Sequence, residues 1–139
     1  EPQQVNLDGK VFMADPEEVA SYEAATATLR SGDFDKAQVA LASFLRRYPA
    51  SGYADTARYW TGNAQYGNRD FKGAITTFRS FIAAAPDHPR APEAELAIAN
   101  CQIELKDVKG AKKTLDDLMK AYPKSEAAVA GRERLSSLK

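Results

Sequence analysis

Gly32-Asp33-Phe34-Asp35-Lys36-Ala37 returns as Arg69-Asp70-Phe71-Lys72-Gly73-Ala74, and again as Lys106-Asp107-Val108-Lys109-Gly110-Ala111. Asp33, Asp70 and Asp107 therefore stand 37 residues apart. The register continues outward through Leu41/Phe78/Leu115, Phe44/Phe81/Leu118, Leu45/Ile82/Met119 and Pro49/Pro86/Pro123. Self-similarity at a fixed period of this size marks a stack of supersecondary units, each too small to bury its apolar face alone. Three copies are present.

Within each copy the spacing is helical. Phe71, Ala74, Ile75, Phe78, Phe81 and Ile82 recur every three or four residues and so share one face. Phe34, Ala37, Leu41, Phe44, Leu45 and Tyr48 make the same stripe in the first copy, and Val108, Ala111, Leu115, Leu118, Met119 and Tyr122 in the third. Each stripe is preceded by an aspartate suited to capping free N–H groups. Each is closed by a proline, which lacks the donor a continuing helix needs. The helix before each stripe is lighter, with Ala25, Gly62 and Ala99 in a small-residue column that permits close approach. Asp15-Pro16-Glu17-Glu18 reads as a cap, a first-turn proline and a capping-box glutamate. Seven helices are predicted, at about 16–30, 33–48, 53–67, 70–84, 90–105, 107–121 and 125–138. The fold class is all-α: a right-handed superhelical solenoid of three helix–turn–helix repeats (16–52, 53–89, 90–124) with a C-terminal capping helix at 125–138. Residues 1–15 alternate around Asp8-Gly9, a hairpin signal. An isolated hairpin is marginal in water, so this segment is expected to be an arm or linker outside the repeat domain at 16–139.

Composition narrows the function. The 139 residues carry 19 basic and 19 acidic side chains, with no basic run longer than Arg46-Arg47 or Lys112-Lys113. That balance argues against a nucleic-acid partner, which needs a local cationic excess. No apolar stretch reaches the roughly 18 residues of a membrane span, so direct membrane insertion is not expected. Alternating charge argues against a surface-lying amphipathic helix. The single Cys101 has no internal disulfide partner and does not choose between compartments. A start at Glu1 without Met or signal peptide reads as a processed or excised product.

The repeat resembles the tetratricopeptide (TPR) pattern at Gly62, Ala74, Phe78 and Pro86. It departs where Arg58 stands at the opening aromatic and Gln65 at the usual tyrosine, and its period exceeds the usual value of about 34. The linkers are accordingly long: Tyr48-Pro49-Ala50-Ser51-Gly52-Tyr53-Ala54 and Tyr122-Pro123-Lys124-Ser125-Glu126-Ala127. That Tyr-Pro-x-Ser pattern, with Tyr59-Trp60-Thr61-Gly62 after the first, resembles the C-terminal TPR domain of the periplasmic Tol-Pal-associated cell division coordinator family (CpoB, also called YbgF). Outer-membrane assembly lipoproteins of the BamD type share the long linker and stand second, because they carry more repeats. The resemblance implies a periplasmic, non-catalytic adaptor that binds TolA and links outer-membrane constriction to septal peptidoglycan synthesis by a bifunctional penicillin-binding protein. It also implies a signal peptide and a trimerising coiled coil upstream. A full-length homotrimer and a monomeric fragment are the expectation.

In a TPR stack the first helices line the inner surface. The columns off the core stripe are Tyr22/Tyr59/Leu96, Thr26/Asn63/Asn100 and Leu29/Tyr66/Ile103. Tyr22, Thr26, Tyr59, Asn63, Tyr66, Leu96, Asn100 and Ile103 are thus the candidate partner-binding residues. Tyrosines give broad contact area with a polar tip, and asparagines pair with a guest backbone. The competing reading has the same side chains packing against the neighbouring repeat. Arg58 and Arg90 near the helix mouths are candidates for pairing with an acidic partner, whereas Trp60 reads as core. Catalysis finds no constellation: Cys101 shares a small column with Ala27 and Ala64, and His88 lies in a linker. One histidine and one cysteine supply no metal site, and no cofactor is implied. Peptidoglycan remains an alternative ligand, since Tyr and Asn also engage sugars.

Overall fold

The computed structural model describes residues 1–138. Two antiparallel strands, β1 (Gln3–Leu7) and β2 (Lys10–Ala14), precede seven helices. These are α1 (Pro16–Arg30), α2 (Phe34–Arg47), α3 (Ala54–Gly67), α4 (Phe71–Ala84), α5 (Ala91–Glu104), α6 (Val108–Ala121) and α7 (Glu126–Ser137). The architecture is the all-α TPR type, with three helix pairs followed by one further helix.

The period is written in the backbone as well as in the side chains. The turn after α1 closes by Gly32 N–H donating to Leu29 O (3.0 Å) and Asp33 N–H to Thr28 O (3.3 Å). The turn after α3 repeats this with Arg69 to Tyr66 O and Asp70 to Gln65 O. The turn after α5 does so with Lys106 to Ile103 O and Asp107 to Gln102 O. Such paired bonds require a left-handed residue, and Gly32, Arg69 and Lys106 have φ of 85, 63 and 68°. Asp33 and Asp107 then accept from Lys36 and Gly110 N–H as the expected caps. The long linkers share a second ladder. Ser51, His88 and Ser125 N–H donate to the carbonyls of Tyr48, Ala85 and Tyr122, and Ala54, Ala91 and Ala128 N–H return to Ser51, His88 and Ser125.

By contact the chain forms two compact units, Glu1–Asp70 and Phe71–Lys139. In the first, Tyr22, Leu41, Phe44 and Tyr53 lead a core with Val19, Ala25 and Ala57. Tyr22 stacks on Tyr53 at 4.0 Å and 17°, with Phe44 edge-on to both. In the second, Leu115 and Leu118 of α6 pack with Ala99 and Ala127. Gly131 lets α7 sit on α6, because a Cβ there would lie 2.9 Å from Leu118 Cδ2.

The N-terminal segment corrects the expectation of an arm. Asp8 and Gly9 both have positive φ (52 and 77°), the geometry of a tight hairpin turn. Val5 pairs with Phe12 across the strands, and Val5, Leu7, Phe12 and Ala14 join the core of the first unit. Phe12 lies edge-on to Tyr53 at 5.0 Å and covers Gly52, where a Cβ would be 2.2 Å from its ring. Thr56 Oγ1 donates to Asp8 Oδ2 at 2.8 Å. An isolated hairpin is marginal, but this one is not isolated: helices supply the apolar surface it lacks.

Candidate protein-binding cleft

The first unit carries a shallow apolar cleft of about 470 Å³, lined by Leu29, Arg30, Phe34, Trp60, Asn63, Tyr66 and Gly67. Its walls follow from the repeat. Leu29 and Tyr66 are the penultimate residues of α1 and α3, and Phe34 opens α2. Gly67 leaves room for that ring, since a Cβ there would lie 2.5 Å from Phe34 Cε1. Trp60 Nε1 donates to Tyr22 Oη at 2.9 Å, which fixes the tilt of the indole. Asn63 Nδ2 donates to Tyr59 O at 3.0 Å.

The sequence-derived site residues divide accordingly. Asn63 and Tyr66 line the cleft. Tyr22, Thr26 and Tyr59 were expected to face an open groove, and their burial corrects that: they are 6%, 7% and 7% exposed. Tyr22 belongs to the stacked core, Thr26 Oγ1 donates to Glu23 O, and Tyr59 lies edge-on to Trp60. The small side chains of Ala25 and Ala57, both fully buried in this core, let the helices approach closely enough to enclose these rings. Trp60, read as core, packs on the core and also lines the cleft. Arg30 and Gly67 were missed. The turn motif after each first helix was the available signal, because it gathers the helix end, the left-handed residue and the next aromatic in one place.

In the second unit, Leu96 and Asn100 of α5 line a separate cleft of about 430 Å³ with Ala130, Glu133, Arg134 and Ser137 of α7. Arg134 Nε donates to Asn100 Oδ1 at 3.2 Å, so α7 already engages that acceptor. Ile103 is half-buried and outside this lining. Arg58 and Arg90, considered for an acidic partner, pair with Asp55 (3.0 Å) and Glu93 (3.7 Å) in the first turns of their own helices.

The groups considered for catalysis are occupied otherwise. Cys101 is fully buried, and burial followed by the charge of Glu104 pushes its thiol up to about 11. A nucleophilic cysteine needs the opposite shift. His88 Nδ1 accepts from Arg90 N–H at 3.0 Å, as Ser51 Oγ accepts from Tyr53 N–H one repeat earlier. Its ring lies edge-on to Phe81 at 5.0 Å. No cluster of three or more His, Cys, Asp or Glu suited to a metal exists among the described residues. None of the described helices is long and apolar enough to cross a membrane.

A TPR-type scaffold with an accessible aromatic cleft is the class that these features define. The chain belongs to the YfiO outer membrane lipoprotein family, whose model matches residues 14–139. It is also 51% identical over 41 residues, 30% of the chain, to the cell division coordinator CpoB of Pseudomonas putida, a match spanning 15% of that protein's length. Among solved structures it resembles PcrH of Pseudomonas aeruginosa in complex with the chaperone binding region of PopD (TM-score 0.73, 15% identity, 89% of this chain and 92% of that one). The Yersinia enterocolitica type III secretion translocator chaperone SycD is similar (0.72, 14%, 87% and 89%). So is the TPR domain of Arabidopsis OM64 (0.69, 15%, 86% and 93%). At these identities the structural likeness establishes the fold.

Proposed function

We propose that this chain is a non-catalytic adaptor of the Gram-negative periplasm that holds a protein partner against the first helices of its repeats. The observation that carries this reading is the α1–α3 cleft, an accessible aromatic surface built by the repeat geometry itself. The match to the cell division coordinator CpoB of P. putida supports cell division as the setting, and TolA is the partner that the resemblance of the Tyr-Pro-x-Ser linkers implies. Asn63, Tyr66, Leu96, Asn100 and Ile103 are the proposed contact residues, since they retain exposure in their units. A bifunctional penicillin-binding protein is the proposed second partner, with trimerisation supplied by a coiled coil outside this chain. Affinity for a TolA fragment, measured before and after Asn63→Ala/Asn100→Ala, tests the proposal. A loss of tenfold or so is expected, and unchanged binding removes these faces from it.

The match of 126 residues to an outer membrane lipoprotein family favours a second reading, a scaffold of an outer-membrane protein assembly machine. Affinity purification from envelope extracts separates the two: Tol-Pal components on one side, outer-membrane assembly components on the other.

A further inference from the structure

We propose that the α1–α3 cleft anchors a bulky apolar side chain of a partner's extended segment, and that the residue after the anchor is acidic and pairs with Arg30. The inference rests on the adaptor reading and deepens it by naming the chemistry recognised. Four of the seven lining residues, Leu29, Phe34, Trp60 and Tyr66, give the cleft its apolar walls, and Gly67 adds no side chain. Arg30 is the one charged group in the lining. It stands exposed at the end of α1, and its guanidinium makes no hydrogen bond or ion pair among the described residues. An apolar cleft with a lone cation at its rim is complementary to an apolar side chain flanked by a carboxylate.

The cleft is preorganised for this guest. The indole of Trp60 is held by Tyr22, and the Asn63 amide by the α3 backbone. Little side-chain freedom is then lost on binding. Asn63 Oδ1 is left to accept from a guest N–H, which favours an extended segment over a closed helix. The apolar contact supplies the affinity. The Arg30 pair supplies selectivity, about two- to five-fold for an exposed pair at low salt, shrinking as ionic strength rises.

Trp60 is the sole tryptophan, so its indole N–H resonance reports on the cleft in the intact chain. The probes are four blocked hexapeptides: Ac-GSFDSG-NH2, its Asn and Lys variants at the acidic place, and its Ala variant at the anchor. The Phe-Asp peptide is expected to shift the Trp60 resonance saturably. The Asn variant should bind about two- to five-fold more weakly, the Lys variant more weakly again, and the Ala variant should leave the resonance unmoved. Arg30→Gln, a change at an exposed position, should abolish the preference for Asp over Asn while retaining that for Phe over Ala. Equal binding of the Asp and Asn peptides to the native chain overturns the proposal. So does an unmoved indole resonance at about 10 mM peptide, where even weak sites fill. TolA binding on the same preparation separates the two readings. A chain that binds TolA while its indole ignores every peptide is an adaptor with another anchor chemistry. A chain that ranks the peptides as expected but ignores TolA keeps the anchor and loses that partner.

Discussion

Lys106 shows how a repeat can keep a geometry after losing the residue that suits it. Its φ of 68° matches the 85° of Gly32 two repeats earlier, and the same two backbone bonds close both turns. A non-glycine side chain in this region is strained by roughly 1–2 kcal/mol, while glycine loses about 0.5–1 kcal/mol through unfolded-chain entropy. Lys106→Gly is therefore expected to stabilise the protein by about 0.5–1 kcal/mol, read from urea unfolding with an unchanged slope. Cys101 gives a second expectation at this scale. Its full burial and raised thiol pKa of about 11 should slow alkylation of the native protein about 100-fold or more relative to the unfolded chain at pH 8. Fast native labelling would reopen the nucleophile reading. Why Cys101 was legible as packing and Tyr22 was not is a matter of size. A small side chain in an Ala column has one use, whereas a tyrosine in an outer column depends on how far the neighbouring helix closes over it.

The helices were legible because period, cap and proline agree in every copy, and each observed boundary lies within a residue or so of the expected one. The hairpin was less so, since its stability lies in surfaces far along the chain: Phe12 sits on Gly52 and Tyr53, and Asp8 on Thr56. Phe12→Ala should accordingly cost about 1–2 kcal/mol, less than a fully buried ring, and should raise amide exchange in both strands together. A strand pair that exchanges as fast in the native protein would contradict the docking. Between α4, α5 and α6, Glu95 offers a pH test. Burial first, and then the Asp117 charge, hold its carboxyl above the ordinary 4.5, with Arg79 and Lys113 opposing. A raised carboxylate pKa means that the folded state binds its proton more tightly than the unfolded chain does. Its penalty is absent well below 4.5 and grows as pH rises through the folded pKa. Glu95→Gln is expected to stabilise the protein at pH 7, with the gain fading toward pH 4. Thermal unfolding at the two pH values checks this, and an equal gain at both would assign the effect to packing.

At the scale of the whole chain, the 37-residue register predicts near-equivalent repeats, yet the contacts resolve into two units, and a core cluster of different make-up lies in each. The physical reason is asymmetric decoration. The first unit gains a hairpin and an aromatic cluster around Tyr22, Phe44 and Tyr53, and the second gains α7 against Leu115 and Leu118. In a repeat stack, stability approximates a sum of local terms and nearest-neighbour interfaces, so damage should remain largely local. Leu115 is fully buried in the second core, and Leu115→Ala is expected to cost about 2–5 kcal/mol. Native-state hydrogen exchange should then show protection falling most in α5, α6 and α7, with β1, β2, α1 and α2 losing less. Uniform loss across both units would mean that the chain unfolds as one cooperative body. Partner binding through the α1–α3 cleft would then be coupled to the stability of α7. Local loss would leave the cleft competent when the second unit opens, and peptide titration of the Leu115→Ala protein through Trp60 distinguishes these outcomes.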